Sequence, residues 1–373
     1  MSILNRFFIK LNINFLRPFM VSVCVANVSN HNNIFCINYI TNERGFQVGD
    51  SIANYCLAKI LSLKYPDKLK FLYTPFIHSD LFIFDSHETK IELSMQFSQN
   101  MGAYNDENIL QNLDKNNTLF IANLETKIEE VDSNLFEIIK KEVQLKQTPE
   151  LNPLPSDMIT IAVHIRKGNG GGQFYDGEQS SLQIYDYDRN QICYIDDYVN
   201  YPFDWESYKR NGSKIEHVSL ANEIFEITET GKFLDQVSHW QTKFPPEQYY
   251  VDQIVKLSKE LSHKNLYIQI FTDDKDPVSL IERIKLTVDL PNVSFYFVNN
   301  RNLSFRDQIA QDLYSMSRSD ILIRSQSYFS RVAELMGNHK IVIYPLEYKW
   351  EGNKLIMNKI VVKGDLSILK NNE

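Results

Sequence analysis

Chemistry in this chain is concentrated in the nine residues His164-Ile165-Arg166-Lys167-Gly168-Asn169-Gly170-Gly171-Gly172, which hold four of its 13 glycines. They directly follow the apolar run from Ile159 to Ile165, so they fall at the carboxyl end of an expected strand. Glycines there let a ligand approach the backbone and turn N–H groups toward an anion. Arg166 and Lys167 add positive charge in the same place, and a phosphate-bearing ligand is the expectation. The plainer alternative is a surface loop with two solvated cations, and His164 taken alone reads as a satisfied strand-end histidine. Neither Gly-x-x-x-x-Gly-Lys-[Ser/Thr] nor Gly-x-Gly-x-x-Gly is present in the segment, which argues against ordinary ATPase and dinucleotide sites.

Two further strand ends carry polar chemistry. Phe271-Thr272-Asp273-Asp274-Lys275-Asp276-Pro277 places carboxylates where they can cap the next helix or accept from a ribose or a base. A third carboxylate at Mg²⁺-ligand spacing is missing. Arg324-Ser325-Gln326-Ser327-Tyr328-Phe329-Ser330-Arg331 puts hydroxyls and N–H groups at a helix N-terminus, a natural anion site, with N-capping by Ser327 as the simpler reading. Three such ends together point to a cradle for a nucleoside diphosphate.

The elements that must position these ends alternate strand and helix. Ile34–Ile40 reads as a buried strand, followed by a loop with Gly45 and Gly49, with Asp50 as N-cap of a helix in which Ile52, Cys56 and Ile60 recur. Phe71–Tyr73 and Thr118–Ala122 read as strands and Leu135–Val143 as a helix. Thr148–Pro155 holds three prolines and is the best linker in the chain. Beyond it the pattern restarts: strands at Ile159–Ile165, Leu266–Phe271, Val293–Val298, Ile321–Ile323 and Ile341–Tyr344, and helices at Tyr249–Leu261, Val278–Val288, Ile309–Met316 and Tyr328–Met336. Apolar runs without polar alternation belong to sheets covered on both faces. The expected fold is α/β, with two Rossmann-like domains facing across a cleft. The divisions are 1–150, an amino-terminal Rossmann-like domain; 151–350, the domain of the nucleoside-diphosphate cradle, with an insertion over 173–240; and 351–373, a tail. The insertion is rich in Tyr, Asp, Asn and Glu with weak periodicity.

At 373 residues and 43% hydrophobic content, the chain can bury a large core, and disorder throughout is excluded. A net charge of −8 argues against generic nucleic-acid or anionic-membrane partners. Cys24, Cys36, Cys56 and Cys193 have neither disulfide-scaffold nor zinc spacing and read as buried thiols of a reducing compartment. The start, with Arg6, Lys10 and the short apolar run Phe19–Ala26, only weakly resembles a signal peptide, and no run is long enough to span a membrane. A soluble, cytoplasmic protein is expected.

Taken together, the three strand ends resemble the fucosyltransferase-like glycosyltransferases of the GT-B fold, which include α1,6-, nodulation and protein O-fucosyltransferases. His164, Arg166 and Lys167 match the family's His-x-Arg-Arg motif with Lys in place of the second Arg, and Asn169 replaces its Asp. Thr272-Asp273-Asp274, with Pro277 two residues late, matches the second motif. Asp312, Met316-Ser317, Ser319-Asp320, Ser327 and Arg331-Val332-Ala333 reproduce most of the third, and Gly45–Tyr55 is similar to the family's first loop and helix. The likeness spans about residues 158–350.

The resemblance implies metal-independent transfer of fucose from GDP-fucose to a glycan or protein hydroxyl, with no cofactor beyond the donor substrate. It places Arg166 and Ser327 on the diphosphate, with Arg166 as the catalytic group. His164, Asp273 and Asp274 fall on the nucleoside, and Lys167, Gly168, Ser325 and Tyr328 around the donor. No base is assigned; Asp176 and Glu178 lie near the first motif. Two other classes stay open: a GT-B transferase using another nucleotide sugar, and a non-catalytic nucleotide- or glycan-binding protein.

Overall fold

A computed structural model describes residues 35–39, 48–88, 98–101, 118–122, 133–166, 173–174, 182–186, 191–195, 197–200, 215–220, 223–228, 240–274, 276–297, 303–351 and 354–370. Gly45, Lys167, Gly168, Asp176, Glu178 and Cys24 lie outside them.

The amino-terminal half contributes strands β1 (Phe35–Tyr39), β2 (Leu69–Phe71), β3 (Ser98–Met101) and β4 (Thr118–Ala122). They form a four-stranded parallel sheet in the order β2-β1-β4-β3. Its helices are α1 (Val48–Lys64), the short α2 (Phe84–His87) and α3 (Ser133–Glu142). Asp50 is not the N-cap expected from sequence: α1 already begins at Val48, and Asp50 stands in its first turn. A carboxylate there meets the positive end of the helix dipole without having to cap it.

Past the proline-rich stretch come β5 (Ile159–Ile165), β6 (Gln173–Phe174), β7 (Leu182–Asp186), β8 (Gln191–Ile195), β9 (Asp197–Asn200), β10 (Ile215–Leu220) and β11 (Glu223–Thr228). Helices α4 (Trp240–Lys243) and α5 (Glu247–Glu260) lead into β12 (Leu266–Thr272), and α6 (Pro277–Val288) into β13 (Val293–Tyr296). Helix α7 (Phe305–Ser317) precedes β14 (Ile321–Arg324), and α8 (Tyr328–Met336) precedes β15 (Ile341–Glu351); β16 (Lys354–Gly364) and α9 (Leu366–Lys370) follow. Neighbours β13-β12-β5-β14-β15 are all parallel. Counted along the chain within this set, the order is 3-2-1-4-5, that of a doubly wound sheet whose direction of winding reverses between β5 and β14. The expected α/β class, with a parallel-cored sheet in each half, is thus present.

Two differences from the sequence reading stand out. The 173–240 insertion, read as irregular, carries six strands; β10 and β9 pair with β16 and so widen the main sheet. Residues 351–373, set apart as a tail, supply β16 and α9: Val361 and Val362 fill opposite faces of the sheet, and Leu366 is buried beside it. An antiparallel strand after β15 needs only a tight connection, which composition did not reveal.

Every residue of β5 is buried. Ile161, Val163 and Ile165 join Ile268, Ile323 and Ile343 against α5 and α6, whereas Ala162 joins Phe271, Leu322 and Val342 on the other face. That second face is covered by α7 and α8, and the same apolar cluster takes in Ile52, Tyr55 and Leu61 of α1 and Ile139 of α3. Helix α1 therefore packs directly beside the carboxyl-terminal sheet's own helices.

Candidate functional site

The register brings the three sequence motifs to one crest. His164 of β5 lies opposite Phe271 of β12 on one side and opposite Arg324 of β14 on the other. One residue beyond the end of each strand stand Arg166, Asp273 and Ser325, at the carboxyl ends flanking the winding reversal, where doubly wound sheets hold their ligands. Arg166 Nη1 sits 3.0 Å from Asp273 Oδ2.

Several polar atoms at this crest are buried and unsatisfied within the protein. His164 Nδ1, Arg166 Nε and Ser325 Oγ have no hydrogen-bond partner. The Tyr250 hydroxyl lies near Ser325 and the Arg166 backbone, short of good hydrogen-bond geometry. Buried donors and acceptors are ordinarily paired, so orphans gathered at one strand edge are groups that a ligand can satisfy. The His164 imidazole is neutral: burial first, then Arg166 and Arg324, lower its pKa to about 3. Its ring stands 5.8 Å from that of Phe329.

Ser327 occupies the N-cap position of α8, yet its hydroxyl makes no capping bond. The α8 N-terminus thus keeps N–H groups directed at the crest, with the dipole favouring an anion. The turn before it is held from behind by the buried Arg324, whose Nη1 donates to the Ser325 carbonyl (3.0 Å) and whose Nε donates to Glu334 (2.7 Å). Tyr328 is buried, its ring 5.3 Å from the Arg331 guanidinium. Gly49 fits against this same turn: a Cβ on it would come 2.4 Å from Phe329 N and 2.6 Å from the Tyr328 carbonyl carbon.

Asp274 is directed elsewhere. Its Oδ1 accepts from the Asp276 N–H (2.8 Å), and Asp276 caps α6 by accepting from Ser279 N (3.2 Å). The capping reading explains this pair of aspartates, while Asp273 belongs to the crest. Motif residues 319–320 are architectural as well: Asp320 accepts from Thr160 N (3.0 Å) and Oγ1 (2.8 Å) and pairs with Lys340 (2.8 Å), at the opposite end of β5.

Two charged residues at the crest escaped the sequence reading. Lys243 ends α4, and the neighbouring Thr242 carbonyl accepts from the Gln326 N–H (2.9 Å), which ties α4 to the turn before α8. Burial, with Arg166 adding to it, lowers the Lys243 pKa, while Asp50 and Asp273 oppose the fall. Asp50 arrives from α1; burial raises its pKa, and Lys243 and Arg166 oppose the rise. A single Lys ahead of two prolines and an acid on an apolar helix give no recognisable spacing. Tyr250 was hidden on the apolar face of α5, although a buried Tyr hydroxyl ordinarily seeks a partner. Among the described residues no three His, Cys, Asp or Glu side chains are grouped as metal ligands, and no helix is long and apolar enough to cross a membrane. Cys56 is buried with a free thiol.

No protein-family model matches the sequence, and no curated protein matches it. Among solved structures, the chain is similar to the fucosyltransferase NodZ from Bradyrhizobium (12% identity, TM-score 0.39, covering 84% of this chain and 96% of that one). It is also similar to NodZ alpha-1,6-fucosyltransferase soaked with GDP-fucose (11%, 0.38, 84% and 94%) and to POFUT1 in complex with GDP-fucose (9%, 0.40, 83% and 96%). The chemistry of the crest stands on its own geometry.

Proposed function

We propose that the chain is a glycosyltransferase that takes its sugar from a nucleoside-diphosphate donor, GDP-fucose first among the candidates, and passes it without a metal to a hydroxyl of a glycan or protein. The observation that carries this reading is Arg166, fixed at the winding reversal of a doubly wound sheet with Nε unsatisfied and the α8 N-terminus alongside. As the glycosidic bond breaks, negative charge grows on the leaving diphosphate. Donors fixed in advance, in a site with little water, stabilise that charge most. Arg166 suits the task by its permanent charge and forked donors, Lys243 adds a second cation, and Ser325, Ser327 and the α8 N–H groups complete an anion cradle. Neutral His164 supplies a ring nitrogen for the nucleoside.

One observation favours a donor other than a guanosine nucleotide. Asp273 Oδ2 is paired with Arg166 and Asp274 Oδ1 with the Asp276 N–H, so each carboxylate already spends one oxygen inside the protein rather than on a base. Thermal stabilisation by GDP, UDP, ADP and GDP-fucose, on wild type and Arg166→Ala, decides among these. Selective stabilisation by GDP and GDP-fucose that is lost in the variant is the expected result. Selectivity for UDP replaces the donor and keeps the transferase, and no shift with any nucleotide rejects the reading.

A further inference from the structure

A second cavity, of about 60 Å³, lies on the α7 face of the main sheet, away from the crest. Tyr267 and Gln269 of β12 line its floor with Tyr296 of the edge strand β13, which stands opposite Gln269 in the register. Gln311, Ser315 and Arg318, three to four residues apart along and just past α7, form one wall, and residues 151–154 of the proline-rich stretch form the other. Gln269 is only 7% exposed, and among the described residues its Oε1 has no hydrogen-bond partner. Gln311 Oε1, also buried, has none either. Two amide oxygens left without donors in one cavity call for a ligand that donates. The neighbouring Arg318 disfavours a cation there, and the two carbonyl oxygens disfavour an anion, so the matching group is a neutral hydroxyl. At the mouth, the Tyr267 and Tyr296 rings lie nearly parallel, interplanar angle 27° and centroids 5.7 Å apart, with Tyr296 37% exposed. Such a shelf presents the negative face of an aromatic ring to the C–H edge of a partner.

We propose that this cavity is a saccharide-binding site separate from the crest. A hexose ring rests on the Tyr267–Tyr296 shelf, and its hydroxymethyl arm enters the cavity and donates to the Gln269 and Gln311 oxygens. The space is too small for a whole ring and sufficient for that arm. As an anchor for a glycan acceptor the site rests on the transferase reading above; as a saccharide site it is measured without any donor, so either can fail alone.

Saturation-transfer NMR with cellotriose, mannotriose, galactotriose and xylotriose tests the proposal, since xylotriose lacks the hydroxymethyl arm. At least one hexose trisaccharide is expected to bind, and xylotriose to bind more weakly than it. Gln269→Leu and Tyr296→Ala should each weaken that binding about tenfold or more, because a ligand hydroxyl or ring face loses its partner. Thermal stability should hold in both, since one substitution removes an unpaired buried oxygen and the other an exposed ring. Tyr296→Ala carries the test if Gln269→Leu does not fold. Binding of no hexose trisaccharide would overturn the proposal and leave the cavity to water. Equal binding of xylotriose would overturn it too, as would affinity unchanged in Tyr296→Ala.

Discussion

Arg324 and Glu334, ten residues apart, form a buried ion pair that clamps the turn between β14 and α8: Nη2 lies 2.6 Å and Nε 2.7 Å from Glu334 Oε2. The guanidinium also stands 3.9 Å over the Tyr344 ring, and Lys363 reaches Glu334 Oε1 at 2.9 Å. The surrounding cations hold the Glu334 carboxyl far below the usual range although burial pushes the other way. The pair shapes the backbone that carries Ser325 and Ser327, so its part is to position the cradle.

Arg324→Ala leaves a buried carboxylate short of its main partner and should cost about 3–5 kcal/mol. Arg324→Lys cannot reproduce the forked, stacked geometry and should recover only part of the loss. Chemical denaturation of both variants measures this, and stability unchanged by Arg324→Ala would show that the clamp is idle.

Gly49 brings the two halves into close backbone contact. Gly49→Ala drives a methyl into the Phe329 and Tyr328 backbone, atoms that cannot swing aside as a side-chain tip would. The expected cost is about 1–3 kcal/mol, the usual scale of overpacking. The α8 N-terminus moves with it, so nucleotide affinity should fall as well. Titrating GDP against wild type and Gly49→Ala checks the coupling; a destabilised variant with unchanged affinity would separate the contact from the cradle.

His164 gives the fold a specific acid sensitivity. Its folded pKa of about 3 lies below the unfolded value of 6.5, so between those values the unfolded chain binds the extra proton. Its contribution is complete above pH 6.5 and declines as the pH drops, by no more than about 1.4 kcal/mol per pH unit. His164→Gln should flatten the stability profile between pH 6.5 and 5 relative to wild type. Parallel profiles for the two proteins would mean that His164 is not the group responsible.

Much of the carboxyl-terminal half was legible because its strands are buried on both faces and so read as unbroken Val, Ile and Leu. The gathering of Arg166, Asp273 and Ser325 at one crest was legible because Arg, Asp and Ser at strand ends have few other uses. Elsewhere the sequence concealed more. Asp50 and Lys243 influence each other electrostatically only because α1 and α4 both pack on one turn, although they lie nearly two hundred positions apart, and local spacing carries no trace of it. Asp274 and Asp320 had the right type at the right place, yet their geometry makes one part of a helix cap and the other a strap across the base of β5. A match in residue type is blind to which way a carboxylate turns. The strands of the insertion and β16 gain their partners only in the assembled sheet, so their pairing could not be read locally.

The apolar cluster that contains Ile52 and Tyr55 of α1 also contains Leu322 of β14 and Val332 of α8. Because these residues form one cluster, a ligand seated on the β5–β14 crest adds its binding free energy to a unit extending into the amino-terminal half. Amide protons of α1, though remote in sequence from every phosphate-binding motif, would then exchange more slowly when the crest is filled.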